Sequence, residues 1–274
     1  MRLIVILTML MIAVTAHEYG HYRVMLANGV EVREFAVGIG PVLWQKPLST
    51  GTMFQLRALP LGGFVKPAEG AMEKASPWVN LRIAMAGMFA NSLFAFLVLL
   101  PCYLLGLKQP DFLTRLRWFA FLGPRLTSPI AALVMSFGLW LAMPFLIVSL
   151  LVKGGLREFF RNVAGPIGIL SGRDGQESSG QASADDQEEL TFGGAMLHLA
   201  AYLASLNAAL AGFNLLPLLP LDGGVAFGAV ISGVFGPSAG GFLSWYADIS
   251  LAVFLLLVVS IFVNDIVRLF RRRS

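Results

Sequence analysis

The residues best suited to chemistry in this chain are His17, Glu18 and His21, in the run His17-Glu18-Tyr19-Gly20-His21. On an α-helix, residues four apart share a face, so the two imidazoles can converge on one metal ion while the carboxylate between them reaches a water on that ion. That spacing carries the chemistry of zinc-assisted hydrolysis, in which zinc lowers the pKa of a bound water to about 7 and a neighbouring Glu acts as general base. The same pattern arises by chance on solvated helices. Here it lies in an otherwise apolar run, where a charged group at the bilayer centre costs at least about 2.5–3.5 kcal/mol unless it is partnered. A bystander is not kept there cheaply.

Hydrolytic zinc sites take a third protein ligand and leave one position to water. The chain has one cysteine, Cys102, so a thiolate-rich site and an internal disulfide are both excluded, and the third ligand must be His or a carboxylate. The run Asn214-Leu215-Leu216-Pro217-Leu218-Leu219-Pro220-Leu221-Asp222-Gly223-Gly224 contains two prolines that must break a helix. Broken backbone is tolerated at membrane depth only where it is buried in protein or lines a wet cavity, which is where a carboxylate could turn toward a metal. Asp222 is the expected third ligand of one Zn²⁺ per chain; the bland alternative is a turn leaving the membrane. His198 lies 24 residues earlier, about 35 Å away along a largely helical path, and reads as an interfacial polar residue. Asp265 reads as a helix-end or ion-pairing residue. Asn91 reads as a packing or interhelical hydrogen-bonding residue.

The elements that hold these residues must cross a membrane. Of the 274 residues 57% are apolar, against about 45–50% in soluble domains, and 13% are charged, against about 25%. A soluble surface could not be covered with so few charges. Four runs are long enough to span a hydrocarbon layer about 30 Å thick: residues 3–27, 81–107, 195–216 and 242–263. A fifth apolar run occupies residues 130–152. The start of the chain also fits a cleavable signal peptide, but cleavage after Ala16 would discard the helix that carries the histidines. The net charge of +4 comes mostly from Lys and Arg flanking the apolar runs, which suits lipid headgroups; no basic stripe interleaved with aromatics suggests nucleic acid.

Residues 30–66 read as strands rather than helix because glycines and prolines punctuate them. Val30 and Val32 alternate in one phase and Phe35, Val37 and Ile39 in the other, which predicts a bulge near Arg33 and Glu34. Residues 53–59 read as a returning strand. Residues 171–190, rich in Gly, Ser, Asp, Glu and Gln, read as a flexible acidic loop. The whole is expected to be a single domain over residues 1–274.

Three blocks resemble the site-2 proteases, a family of intramembrane zinc metalloproteases: HEYGH followed by FAVGIGP and PLGGFVK; residues 80–96 with Gly87 and Asn91; and NLLPLLPLDGG followed by the last span with Asn264-Asp265. The resemblance implies an α-helical multi-pass membrane protein with four core transmembrane helices, a membrane-reentrant β-hairpin between the first two, and a further apolar segment before the third. It implies His17, His21 and Asp222 as zinc ligands, Glu18 as general base and Asn214 as a contact to the substrate backbone. The implied substrates are single-pass membrane proteins, of the anti-sigma-factor or signal-peptide-remnant type. The implied setting is the bacterial cytoplasmic membrane, with the active site toward the cytoplasm. A substrate helix must unwind before hydrolysis, exposing backbone groups that lipid cannot satisfy. The strand around residues 35–39 is expected to take up that substrate as an extra strand, with Gly38 and Gly40 letting backbones approach.

Two departures from the family stand out. Only residues 108–129 separate the second span from the next apolar run, too few for the PDZ domains of many relatives, and Gly87-Met88 stands where Gly-Pro is usual. His17 and Asp222 both lie toward the C-terminal ends of their spans, so those spans must run in the same direction. Residues 130–152 are therefore expected to be reentrant or interfacial, or to pair with a crossing near 112–122. The implied orientation puts Arg33, Lys46, Arg57 and Lys66 inside, and leaves the basic tail outside, against the positive-inside tendency. A metal or ion transporter would spread ionisable residues over several spans and show internal repeats, and this chain does neither. An inactive membrane scaffold would not need His17, Glu18, His21 and Asp222 intact.

Overall fold

The computed structural model describes residues 2–104 and 192–271. The expected segments at 130–152 and 171–190 lie outside the described residues. Helix α1 runs Arg2–Ala27 and is followed by strands β1, Val32–Pro47, and β2, Met53–Pro67. A single turn, α2 (Ala71–Lys74), precedes the long helix α3, Pro77–Leu104. Then come α4 (Phe192–Asn214), α5 (Asp222–Phe235), a 3₁₀ turn over Gly236–Ala239, and α6 (Gly240–Arg271). Three runs among the described residues are long and apolar enough to cross a membrane: Ile4–Ala27, Pro77–Pro101 and Asp222–Val263.

Local chemistry sets the helix ends. The Val30 amide bonds the Met25 carbonyl at 2.9 Å and the Gly29 amide bonds the Leu26 carbonyl, the paired bonds that close a helix C-terminus. Val30 and Met25 then bury together with Tyr22, Val32, Phe35 and Ile83, so the cap of α1 is also the core joining α1, the sheet and α3. At the start of α3, Ser76 receives the Val79 amide on its hydroxyl, and Pro77 occupies the first helical position, where no amide proton is needed. Helices α3 and α4 pack through Ala95, Ala204 and Ala208, whose small side chains allow the close approach that membrane helices rely on.

The hairpin is more folded than its two-strand order suggests. Residues 42–47 pair with 53–57, from Val42↔Arg57 to Pro47↔Met53. Residues Glu34, Phe35, Ala36 and Val37 each have two partners: Lys66, Val65, Phe64 and Gly63 on one side, and Met53, Phe54, Gln55 and Leu56 on the other. Each strand thus doubles back, and four segments lie side by side in the order 63–67, 34–37, 53–57 and 42–47. The fold-back of β1 falls at Gly38 and Gly40, with φ of 90° and 86°, a region that side chains with a Cβ rarely enter. A Cβ on Gly38 would stand 2.8 Å from the Arg57 carbonyl oxygen and 3.0 Å from that of Leu59. Arg57 ties the bend together by donating to the Gly40 carbonyl at 2.9 Å and pairing with Glu34 at 3.4 Å.

One expectation is corrected here. Residues 35–37 are an interior segment, paired on both sides, so they offer no open edge; Gly38 serves a close approach within the hairpin itself. Among the described residues the open edges are the outer sides of 42–47 and 63–67. In α5, Gly223 and Gly233 serve packing: a Cβ on Gly223 would strike the backbone of Leu215 and Leu216, and one on Gly233 would lie 2.9 Å from the Trp78 ring.

Candidate metal centre

His17 and His21 lie one turn apart on α1, both buried, and Asp222 opens α5 opposite them. Asp222 reaches the histidines because α4 ends at Asn214, ahead of Pro217, and the proline-containing loop turns the chain back. Asp222 Oδ2 lies 2.8 Å from His17 Nε2 and 3.2 Å from His21 Nε2, and the two Nε2 atoms are 3.2 Å apart. Among the described residues this is the one cluster of three such groups whose donor atoms all meet within 4.8 Å.

The donor set fits a metal. Ligands about 2.0–2.1 Å from a tetrahedral zinc stand about 3.3–3.4 Å from one another, so the triangle is already near its bound size. His21 Nδ1 lies 2.7 Å from the Ile83 carbonyl, which can only accept, so Nδ1 carries the proton and Nε2 presents a lone pair to the cluster. Asp222 Oδ2 is buried and receives no well-aligned hydrogen bond although two ring nitrogens face it. Lone pairs brought this close repel unless a cation lies between them.

Around this triangle α3 supplies two residues that sequence reasoning did not place at the metal. Gly87 lies directly behind the histidines: a Cβ there would overlap His21 Nε2 and stand 2.6–2.7 Å from the His17 ring. Asn91 is fully buried, with its amide nitrogen 3.3 Å from His17 Nδ1 and its Oδ1 without a partner. That amide nitrogen can donate only if Nδ1 holds the lone pair, which would put the proton on Nε2. A half-turn of the amide presents Oδ1 to Nδ1–H instead and frees Nε2 for a metal. Asn91 therefore does make the interhelical bond expected of it, and its partner is the candidate ligand His17. Asn91→Ala is expected to weaken zinc binding by roughly tenfold to a hundredfold while Asn91→Asp does not, measured by competition with a chromogenic chelator.

Glu18 stands between the histidines in sequence and faces the sheet: a Cβ on Gly63 would lie 3.4 Å from Glu18 Cγ and from Val14 Cγ1. The outer segment of the sheet thus runs beside the candidate base. Asn214 donates its amide to the Leu210 carbonyl at 3.1 Å, one turn back in α4. Gly38 and Gly40 lie at the bend of β1. His198 falls in the first half of α4, while Asp222 follows that helix's other end. Asp265 lies within α6, which continues to Arg271.

The chain is similar to proteins named as zinc metalloproteases. A protein of Pasteurella multocida (strain Pm70), named as a zinc metalloprotease, is 35% identical over 108 residues, 35% of this chain and 24% of its own. Protease RseP of Yersinia pestis is 31% identical over 110 residues, and the regulator of sigma E protease of Haemophilus influenzae is 32% identical over 108. These two matches cover 36% and 35% of this chain and 24% of each relative. The matched segment thus spans about a quarter of those relatives' length. A family model described as Peptidase family M50 matches residues 5–258, from α1 and its two histidines through the loop bearing Asp222 and into α6. The match takes in every element of the metal centre, and the chain belongs to peptidase family M50.

Proposed function

We propose that the protein is a zinc metalloprotease that hydrolyses peptide bonds of single-pass membrane proteins inside the bilayer. The observation that carries this reading is the meeting of His17 Nε2, His21 Nε2 and Asp222 Oδ2 within 3.2 Å of one another on apolar helices, beside Glu18. His17, His21 and Asp222 would hold the zinc ion, which would supply Lewis-acid chemistry for a scissile carbonyl and a water. Glu18 takes the proton from that water and returns it to the leaving amine. With its Nδ1 proton held by the Ile83 carbonyl, His21 would present its Nε2 lone pair to that metal, and His17 would do the same once Asn91 turns its Oδ1 to His17 Nδ1–H. The buried walls around the histidines keep bulk water away, which strengthens each of these electrostatic contacts.

The unwound substrate adds as a strand to the open sheet edge at residues 63–67, the one that runs beside Glu18, so backbone groups released by unwinding find partners. Asn214 holds the substrate backbone from the opposite side. Four helices, α1, α3, α4 and α6, are the spans. The hairpin, with Leu43, Trp44, Leu59 and Leu61 exposed, dips into the membrane. The setting is the bacterial cytoplasmic membrane with the site toward the cytoplasm, and the substrate class is that of anti-sigma factors and signal-peptide remnants.

The test is to purify the full chain, measure bound zinc, and present a panel of single-span substrates in liposomes. One zinc per chain, cleavage abolished by a chelator and restored by zinc, is the expected result. Cleavage that survives complete metal removal would sink the proposal.

A further inference from the structure

The loop that carries Asp222 has few hydrogen-bonding groups to hold its own shape. Pro217 and Pro220 have no amide proton. The Leu218 amide bonds the Leu216 carbonyl at 2.7 Å, and the Leu221 amide bonds the Leu218 carbonyl at 2.8 Å. The Leu219 amide finds its partner outside the loop, on Ser250 Oγ of α6 at 3.3 Å. The Pro217 carbonyl likewise accepts from the Tyr246 hydroxyl at 3.1 Å, and the same hydroxyl lies 3.2 Å from the Gly224 carbonyl, two residues past Asp222. Ser250 is buried, and the Tyr246 ring is held between Phe227 of α5 and Phe242 of α6, with centroids 4.9 and 6.3 Å away. Beyond these contacts α6 exposes Leu251, Leu255, Leu256 and Val259, and among the described residues it packs on little else.

We propose that Tyr246 and Ser250 form a two-point latch by which α6 holds the third metal ligand in place. The two residues are one helical turn apart, so they face the loop together and grip it before and after Pro220, with the second grip reaching past Asp222 to Gly224. At membrane depth no water replaces a lost partner, so a displacement of α6 leaves the Leu219 amide and Pro217 carbonyl unsatisfied unless the loop rearranges. Rearrangement of the loop moves Asp222, because only Leu221 separates it from Pro220. The position of α6 and the geometry of the metal triangle are therefore one equilibrium. Tyr246 and Ser250 are positioning residues that act through Asp222 and touch neither metal nor substrate.

This inference rests on Asp222 being a zinc ligand, and the experiment separates the two claims. The full-length wild type, Tyr246→Phe, Ser250→Ala, the double variant, Ser250→Thr and Asp222→Asn are purified in the same detergent, and each is titrated with zinc against a competing chelator. Tyr246→Phe keeps the ring packed between its two phenylalanines and removes only the hydroxyl. The expected result is a loss of zinc affinity of severalfold for each single variant and roughly tenfold to a hundredfold for the double, with Ser250→Thr close to wild type. Wild-type affinity in the double variant, alongside lost affinity in Asp222→Asn, would overturn the latch and leave the metal site standing. Equal losses in Ser250→Thr and Ser250→Ala would also overturn it, since packing rather than the hydroxyl would then matter. Undiminished affinity in Asp222→Asn would overturn the metal assignment and the latch with it.

Discussion

Glu18→Gln is expected to bind zinc as tightly as the wild type and to cleave about 10²–10⁴-fold more slowly, the range over which a positioned general base contributes. The substitution preserves the shape of the side chain and removes only its capacity to take a proton. Zinc is retained because Glu18 is not one of the three residues whose donor atoms converge; its Cγ lies instead toward Gly63 and the sheet. The measurement pairs metal content with the rate of cleavage of a single-span substrate under conditions where chemistry limits turnover. A variant that loses zinc would place the carboxylate among the ligands, and one that retains full activity would remove it from the mechanism.

Much of this centre can be read from the sequence because its signals are short-range or chemically exclusive. Two histidines at helical spacing need no tertiary information to share a face. One cysteine rules out a thiolate site and His198 lies a helix length from the loop, so a carboxylate in the proline-broken end of the third span, Asp222, is the expected third donor. The prolines that break the third span also announce that its end does something other than exit the membrane. What the sequence hides is long-range. Residues 34–37 are central rather than edge because β1 and β2 both fold back, and alternation along a strand reports its faces, never its neighbours. The packing role of Gly223 and Gly233 is hidden until the loop and Trp78 that press on them are known. Asn91 is one polar residue among apolar ones on α3, and only the crossing of α1 and α3 decides that its amide meets His17. The ligands of Tyr246 and Ser250 are backbone atoms, which leave no pattern to find.

Gly87→Ala gives the sharpest separation between helix stability and the metal site. Alanine favours a helix over glycine by about 1 kcal/mol, so α3 itself gains from the change. The new methyl group, however, lies in the space where His17 and His21 present their nitrogens, against His21 Nε2 and 2.6 Å from His17 Cε1. The helices cannot simply part to make room, because directly beside it Gly20 lets α1 rest on the Ala86 carbonyl and the Ala90 methyl, and that contact fixes their separation. The rings must therefore rotate off the triangle, which breaks the Nδ1 contacts to Ile83 and Asn91 as well. Zinc affinity is expected to fall more than about a hundredfold and cleavage to drop to background, with helix content by circular dichroism unchanged. Gly228→Ala is the matched control, since a Cβ there meets only a Leu243 methyl at 3.9 Å, and it should behave as wild type. Full zinc occupancy in Gly87→Ala would mean that α1 and α3 are farther apart at this level, and with them the histidines from the place where Asp222 meets them.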